Sequence, residues 1–321
     1  MSERLFGGAP RMMSFGAATA DYITTGAIHV PVFENVILDN TRKRGTLLQR
    51  VKTKAATGHP TRYFEKLPHA SKHNWIDPRH IDHALDTTVE RVERSAYIKA
   101  MTDGITFGLF DREVYNQQGN KFGDLQAQDL SEVITDMLDA QDRNIWTGTA
   151  SDLMDSTNHD YCSIVTQITN TGNIGAEERL TKAIIQNVAE LMYNLEYSVK
   201  PTAIYMNPMM KARLDAQEMD AADKIKQYDV EVLPGIKING IMTAAGILPI
   251  ITDVYCPEDT IAILDEALLE RQYVTSATPR LYQLGTEKDL ATRYIAILFD
   301  TFIVRGGSYG HRLLKVAKAG A

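Results

Sequence analysis

From residue 123 to residue 148 the sequence reads as one long helix, and that constrains the fold more than any other stretch. Leu130, Val133, Ile134, Met137, Leu138 and Ile145 recur at i, i+3, i+4 and i+7, a single buried stripe with one member missing near Gln141. The other face carries Asp129, Glu132, Asp136, Asp139, Asp142 and Arg143, which suits solvent or a charged partner. Gly123-Asp124 offers an acidic N-cap, whose side chain can accept a bond from a free backbone N–H. Trp146-Thr147-Gly148 closes the helix, with Gly148 able to take the left-handed conformation just past its end. About 24 helical residues at 1.5 Å each span roughly 36 Å, long enough to act as a backbone joining parts of a molecule. An ordinary long core helix explains the same residues, so this helix alone leaves function open.

Charge is distributed unevenly. The net charge of the 321 residues is −7. Residues 1–75 hold eleven Lys and Arg against five acids, a balance of +6, which leaves −13 for the remainder. A basic N-terminal quarter on an acidic body suggests an arm that binds nucleic acid or the acidic body of a neighbouring copy, and the overall sign favours the copy. With 44% hydrophobic and 23% charged residues the chain is globular in composition, long enough for one large domain or two linked ones. Cys162 and Cys256 are the only cysteines, so no disulfide framework is expected and a reducing cytoplasm suits the chain. Neither a signal peptide nor a membrane-spanning apolar run is read, and no membrane partner is expected.

Taken in order, residues 1–40 read as an arm, interrupted by Gly7-Gly8-Ala9-Pro10, Gly16 and Gly26. Residues 46–67 read as a long two-stranded excursion, strands at 46–54 and 61–67 flanking the turn-rich tip at residues 55–60. It carries Arg50, Lys52, Lys54, Arg62 and Lys66 but too few apolar residues for a core of its own, so it must lie on another surface or in solvent. His69, His73, His80 and His83 follow; His80-x-x-His83 could share a helical face, but the set fits no strong metal-ligand pattern and no structural metal is expected.

Residues 95–101 and 105–110 read as strands flanking Asp103-Gly104, a hairpin or bulge signal, followed by a short helix or turn at 111–117. Beyond the long helix come a strand at 161–168, a turn at Asn170-Thr171-Gly172-Asn173 and an amphipathic helix at 176–197. That helix has Leu180, Ile184, Ile185, Val188, Leu191, Met192 and Leu195 on one stripe. A buried strand at 202–206 leads into a helix begun by Asn207-Pro208. Short strands follow near 230–232, 236–238, 247–252 and 261–264. Residues 282–305 are largely strand, with alternation in Tyr294, Ala296, Leu298, Phe302 and Val304; Gly306-Gly307 ends it and a last strand spans 312–316.

Linear motifs of chemistry are missing. There is no Gly-x-Gly-x-x-Gly after a strand, no Gly-Lys-Ser/Thr phosphate loop and no Gly-x-Ser-x-Gly elbow. The Gly-rich run at 305–310 opens no helix and reads as a turn, with phosphate binding as the second reading. No catalytic residue and no cofactor is assigned.

The order of these elements resembles the major capsid proteins of tailed bacteriophages, the Hong Kong 97-type fold, from about residue 30 to 316. Its nearest local signatures are Asp139-Ala140-Gln141-Asp142-Arg143-Asn144-Ile145-Trp146-Thr147-Gly148, similar to the end of the family's spine helix, and Lys200-Pro201-Thr202-Ala203-Ile204-Tyr205-Met206-Asn207-Pro208. The resemblance implies an α+β fold divided into an N-terminal arm (1–40), an extended loop overlapping a neighbour (41–75), a peripheral domain with the spine helix (76–150), an axial domain (151–270) and C-terminal strands returning to the peripheral domain (271–321). It implies a non-enzymatic head protein, located in the virion and assembled in the host cytoplasm. Its partners would be itself, as hexamers and pentamers, a portal, a separate scaffolding protein and non-specifically packaged double-stranded DNA. Arg50, Lys52, Lys54, Arg62 and Lys66 would then make inter-subunit contacts. The alternatives are an encapsulin-like compartment shell, which shares the fold, and a soluble metal-dependent enzyme using the histidine segment.

Overall fold

The computed structural model describes residues 45–66, 79, 91–117, 122–175, 180–193, 199–220, 228–233, 236–244, 246–284 and 290–317. The arm at 1–40 and the four histidines His69, His73, His80 and His83 lie outside the described residues.

The long helix, α2, spans Phe122–Thr147, after a short helix α1 at Leu109–Gln117. Gly123 and Asp124 fall inside its first turn rather than at its cap. Among its described side chains, Val133, Met137, Ile145 and Trp146 are the large apolar ones that are buried. The stripe is narrower than its apolar spacing predicts, with Leu130, Ile134 and Leu138 only half-buried.

The missing member of the stripe, Gln141, is itself buried. Its partner comes from β13, Thr292–Val304, where side chains alternate between two faces. Ala296 and Leu298 of that strand pack on Val133 and Met137, with Met101 and Ile105 alongside. Asp300 is the next residue in the same row. The polar break in the helix therefore meets the polar break in the strand. Gln141 Nε2 donates to Asp300 Oδ2, Tyr161 Oη donates to Asp300 Oδ1, and Arg271 Nε donates to Asp300 Oδ2 at 2.7 Å. Asp300 is 1% exposed and Arg271 6%. Burial pushes the Asp300 carboxyl up, Arg271 opposes that, and burial beside Asp300 holds the Tyr161 phenol well above its usual range.

β13 is the centre of a five-stranded sheet. One edge pairs antiparallel with β4, Lys99–Phe107, over its first nine residues. The other edge pairs antiparallel with β12, Arg280–Leu284, and then with β11, Leu269–Tyr273. A short parallel strand, β1 at Lys52–Ala55, adds to β11. Asp103-Gly104 makes no hairpin: β4 runs straight through it. A Cβ on Gly104 would sit 3.1 Å from the Tyr294 carbonyl, so the glycine marks close strand approach rather than a turn.

The second sheet has seven strands in the order β5-β14-β10-β6-β9-β8-β7: β5 is Thr171–Ile174, β6 Ala203–Met206, β7 Tyr228–Leu233, β8 Ile236–Thr243, β9 Gly246–Thr252, β10 Thr260–Leu264 and β14 Arg312–Val316. Its centre is buried on both faces, which is why β6 reads as an unbroken apolar run. Ile204, Met206, Ile261, Ile263 and Leu314 face α4 (Lys182–Tyr193) and α5 (Pro208–Asp220). Ala203, Tyr205, Ala262, Leu264 and Leu313 face Ile145 and Trp146 at the end of α2. Asn207 Oδ1 accepts from Met209 N at 2.9 Å, capping α5 just before Pro208.

Three further expectations are corrected. Residues 161–168 hold a one-turn helix, α3 at Ile164–Gln167, because Ser163 caps it by accepting from Thr166 N at 3.2 Å. Residues 170–173 hold most of β5 rather than a turn, paired parallel with β14. Gly148 does not take the left-handed conformation; a Cβ there would lie 2.1 Å from the Tyr161 carbonyl, so glycine is needed for the close approach of the returning chain.

Candidate functional site

The five basic residues sit in three settings, not on one hairpin. The expected pairing of the strands near 46–54 and 61–67 does not occur. β1 pairs with β11, whereas β2 at Thr61–Lys66 pairs antiparallel with β3 at Arg91–Ala96. The two-stranded excursion is thus built from β2 and β3, joined through residues 67–90. Sequence reasoning missed it because the second strand, RVERSA, is polar and lies far along the chain.

β2 alternates strictly. Thr61, Tyr63 and Glu65 are buried against the body, and Arg62 and Phe64 face outward. The inward side chains are all anchored. Tyr63 and Ala96 pack on Ile303 of β13 and on Leu153. Thr61 Oγ1 donates to Gln272 Oε1 at 2.6 Å. Glu65 accepts from Gly306 N at 3.0 Å and from Arg94 Nε at 2.9 Å. The Arg305 guanidinium lies 5.1 Å from the Tyr63 ring centre, and its Nη2 reaches Glu270 at 2.7 Å. Burial and Glu65 push the Tyr63 phenol up to about 12. The outward face carries Arg62, 3.3 Å from Glu93, and Phe64, which is 65% exposed.

Arg50 is engaged within its own chain. Its guanidinium forks onto Glu266 at 2.5 and 3.0 Å, and Tyr205 Oη donates to the same carboxylate at 2.5 Å. Lys52 and Lys54 are exposed on β1, an edge strand of the five-stranded sheet among the described residues. Charged side chains on an edge discourage indiscriminate strand pairing. The side chain of Lys66 lies outside what the structure describes.

A cleft of about 460 Å³ opens beside the β2–β3 pair, lined by Tyr63, Glu65, Arg94, Leu153, Gln167 and Ser308 among others. Its wall includes Cys162, whose thiol burial pushes up to about 11, so at neutral pH it is no nucleophile. Cys256 is pushed higher still by burial. Among the described residues no group of three or more His, Cys, Asp or Glu is placed to hold a metal, and no helix is long and apolar enough to cross a membrane.

Residues 18–295 match the family described as SU10 major capsid protein, well over half of the chain. This chain belongs to that family. The capsid protein is therefore a structural protein of a phage head, and its place is the virion. No curated protein matches its sequence. Solved structures with the same fold include the cyanophage A-1(L) capsid, with a TM-score of 0.64 at 10% identity over 91% of this chain and 98% of that one. The Gordonia phage Cozz structure has a TM-score of 0.56 at 12% identity over 98% of both chains. The holo-SrpI encapsulin of Synechococcus elongatus has a TM-score of 0.60 at 11% identity over 92% of this chain and 94% of that one. The fold of the capsid protein is the Hong Kong 97 type, shared by phage capsids and encapsulin alike, and it is α+β in class.

Proposed function

We propose that copies of this capsid protein assemble as hexamers and pentamers into an icosahedral shell around double-stranded DNA, in the host cytoplasm, with a portal and a separate scaffolding protein. The family match over residues 18–295 carries this reading and favours a phage head over an encapsulin compartment. Charge and exposure support a contact between copies. The outward face of β2 and the edge strand β1 present Arg62, Phe64, Lys52 and Lys54. α2 carries Asp129, Glu132, Asp136 and Asp139 at spacings of three and four, an acidic row that attracts a cationic surface. In this reading the basic surface of one copy lies on the acidic row of the next. Arg50, held by Glu266, supports the base of the contact, and Lys66 adds its charge to the basic set.

The test is charge reversal at Lys52, Lys54 and Arg62 together, each to Glu. Each exposed pair is worth about 0.2–1 kcal/mol and weakens with salt, but a shell repeats it at every contact. Circular dichroism is expected to stay unchanged while sedimentation shows the shell fraction collapsing, and wild-type shells should dissociate more readily at high salt. Normal sedimentation of the triple variant into shells removes the inter-subunit role. Normal empty shells with a defect only in retaining DNA would assign the basic surface to DNA instead.

A further inference from the structure

Three successive residues enter the described body between two carboxylates. The Gly45 amide hydrogen-bonds Asp142 on α2. The Thr46 and Leu47 amides donate to Asp253 Oδ2 at 2.9 and 3.2 Å, and Thr46 Oγ1 reaches the same oxygen at 3.2 Å. Asp253 follows β9 and is 0% exposed; its other oxygen accepts from Tyr255 N at 2.9 Å. Leu47 is 1% exposed in the core beside Trp146. The approach is tight: a Cβ on Gly45 would lie 2.8 Å from Asp142 Cβ. The segment thus fastens the chain to α2 and to the seven-stranded sheet at once.

The two acids are not equivalent. Asp253 is satisfied by four donors, whereas Asp142 Oδ1 is buried with no partner among the described residues. A proton on that oxygen displaces no existing bond. The charged groups bearing on Asp142 are Asp253, Asp139 on its own helix and Arg271 from β11.

We propose that Asp142 and Asp253 form a proton-operated clasp on the chain at Gly45, closed when Asp142 is protonated and loosened when it ionises. Ionisation sets the Asp142 carboxylate against Asp253 across three successive residues, with the Gly45 amide on one acid and the Thr46 and Leu47 amides on the other. Burial, and then Asp253, push the Asp142 carboxyl up to about 6, against the Gly45 hydrogen bond and Arg271, which pull it down. Because the closed state holds its proton at a higher pH than an open one, closure is favoured below the ordinary carboxylate range and lost as pH rises through about 6. What the clasp governs is the hold of α2 and the seven-stranded sheet on Gly45, Thr46 and Leu47, a property beyond shell formation itself.

Hydrogen exchange of the full-length chain at pH 5, 6 and 7.5 tests this, with the Thr46 and Leu47 amides corrected for intrinsic rates and referenced to those of β6. The opening constant of the two amides is expected to rise about tenfold from pH 5 to 7.5 in the wild type. In Asp142→Asn, which keeps the shape without the charge, it should be flat. An unchanging wild-type ratio overturns the clasp, and so does the same rise in both proteins. If the variant fails to fold, the wild-type profile still decides, by having or lacking an inflection near pH 6. The readout is local to two amides and does not depend on whether shells form.

Discussion

The two sheets are fastened to the end and the middle of the same helix by different means. Where α2 ends, Ile145 and Trp146 meet Ala203, Tyr205, Ala262 and Leu264 of the seven-stranded sheet in an apolar cluster. Where α2 crosses the five-stranded sheet, the apolar contact is small, and the Gln141–Tyr161–Asp300–Arg271 network completes it. Apolar burial is strong but non-directional. A buried ion pair adds little net stability against an apolar replacement, yet losing one partner is costly, and it tolerates few alternative arrangements. The difference teaches that one attachment supplies cohesion and the other fixes how the sheet sits on the helix.

The largest effect should come from breaking the polar attachment on one side only. Asp300→Leu strands the Arg271 guanidinium, 6% exposed, without its carboxylate, and should cost about 3–5 kcal/mol in chemical denaturation. Adding Arg271→Met removes the stranded charge and should recover part of that loss. A cost below about 1 kcal/mol for Asp300→Leu would mean that the network does not hold the sheet.

A smaller effect belongs to the crossing between the sheets. His311, 0% exposed, accepts from Asp265 N at Nδ1 (3.2 Å) and lies with Nε2 3.1 Å from the Arg305 carbonyl. Burial lowers its pKa to about 4. The unfolded chain takes up the proton first as pH falls below the ordinary histidine range, so stability is present at neutral pH and lost towards pH 4. The loss should be about 2–3 kcal/mol between pH 6.5 and 4. Asp142 acts in the opposite direction over much of that range, so the measurement belongs in an Asp142→Asn background. There, a His311→Asn change should flatten the stability-versus-pH curve, and an unaltered slope would show that another group is responsible.

Much of this architecture was legible in the sequence, because apolar period and capping chemistry are local. α2, β6, β14 and the Asn207-Pro208 start of α5 emerge close to where their spacing puts them. The gap at Gln141 was visible as a gap, but its meaning was not, since Asp300 lies 159 residues away. Pairing failed for the same reason. The partner of β2 is set by register with a polar strand beyond residues 67–90, not by the nearer basic run at Lys52–Ala55. Glycines were misread where tertiary approach decides: Gly104 and Gly148 admit carbonyls from Tyr294 and Tyr161, and no local pattern announces that. The basic residues are visible in the sequence as charges, yet only the structure separates Arg50, committed to Glu266, from the exposed Lys52 and Lys54.

The smallest effect sharpens the comparison from the apolar side. Ile263 is 0% exposed on β10 and packs among Ile204, Ile261 and Leu314 beneath α4 and α5. Ile263→Val deletes one methylene with no polar partner to strand. The loss is one transfer increment plus a small cavity, about 0.5–1.5 kcal/mol. It should be independent of pH and of salt, because no charge is involved. Asp300→Leu, by contrast, changes an ionisable network and should alter the pH dependence of unfolding as well as its midpoint. Measuring both variants from pH 5 to 8 separates the two kinds of attachment. If Ile263→Val costs as much as Asp300→Leu, the apolar sheet is packed too rigidly to relax, and the division between cohesion and orientation drawn from the two sheets fails.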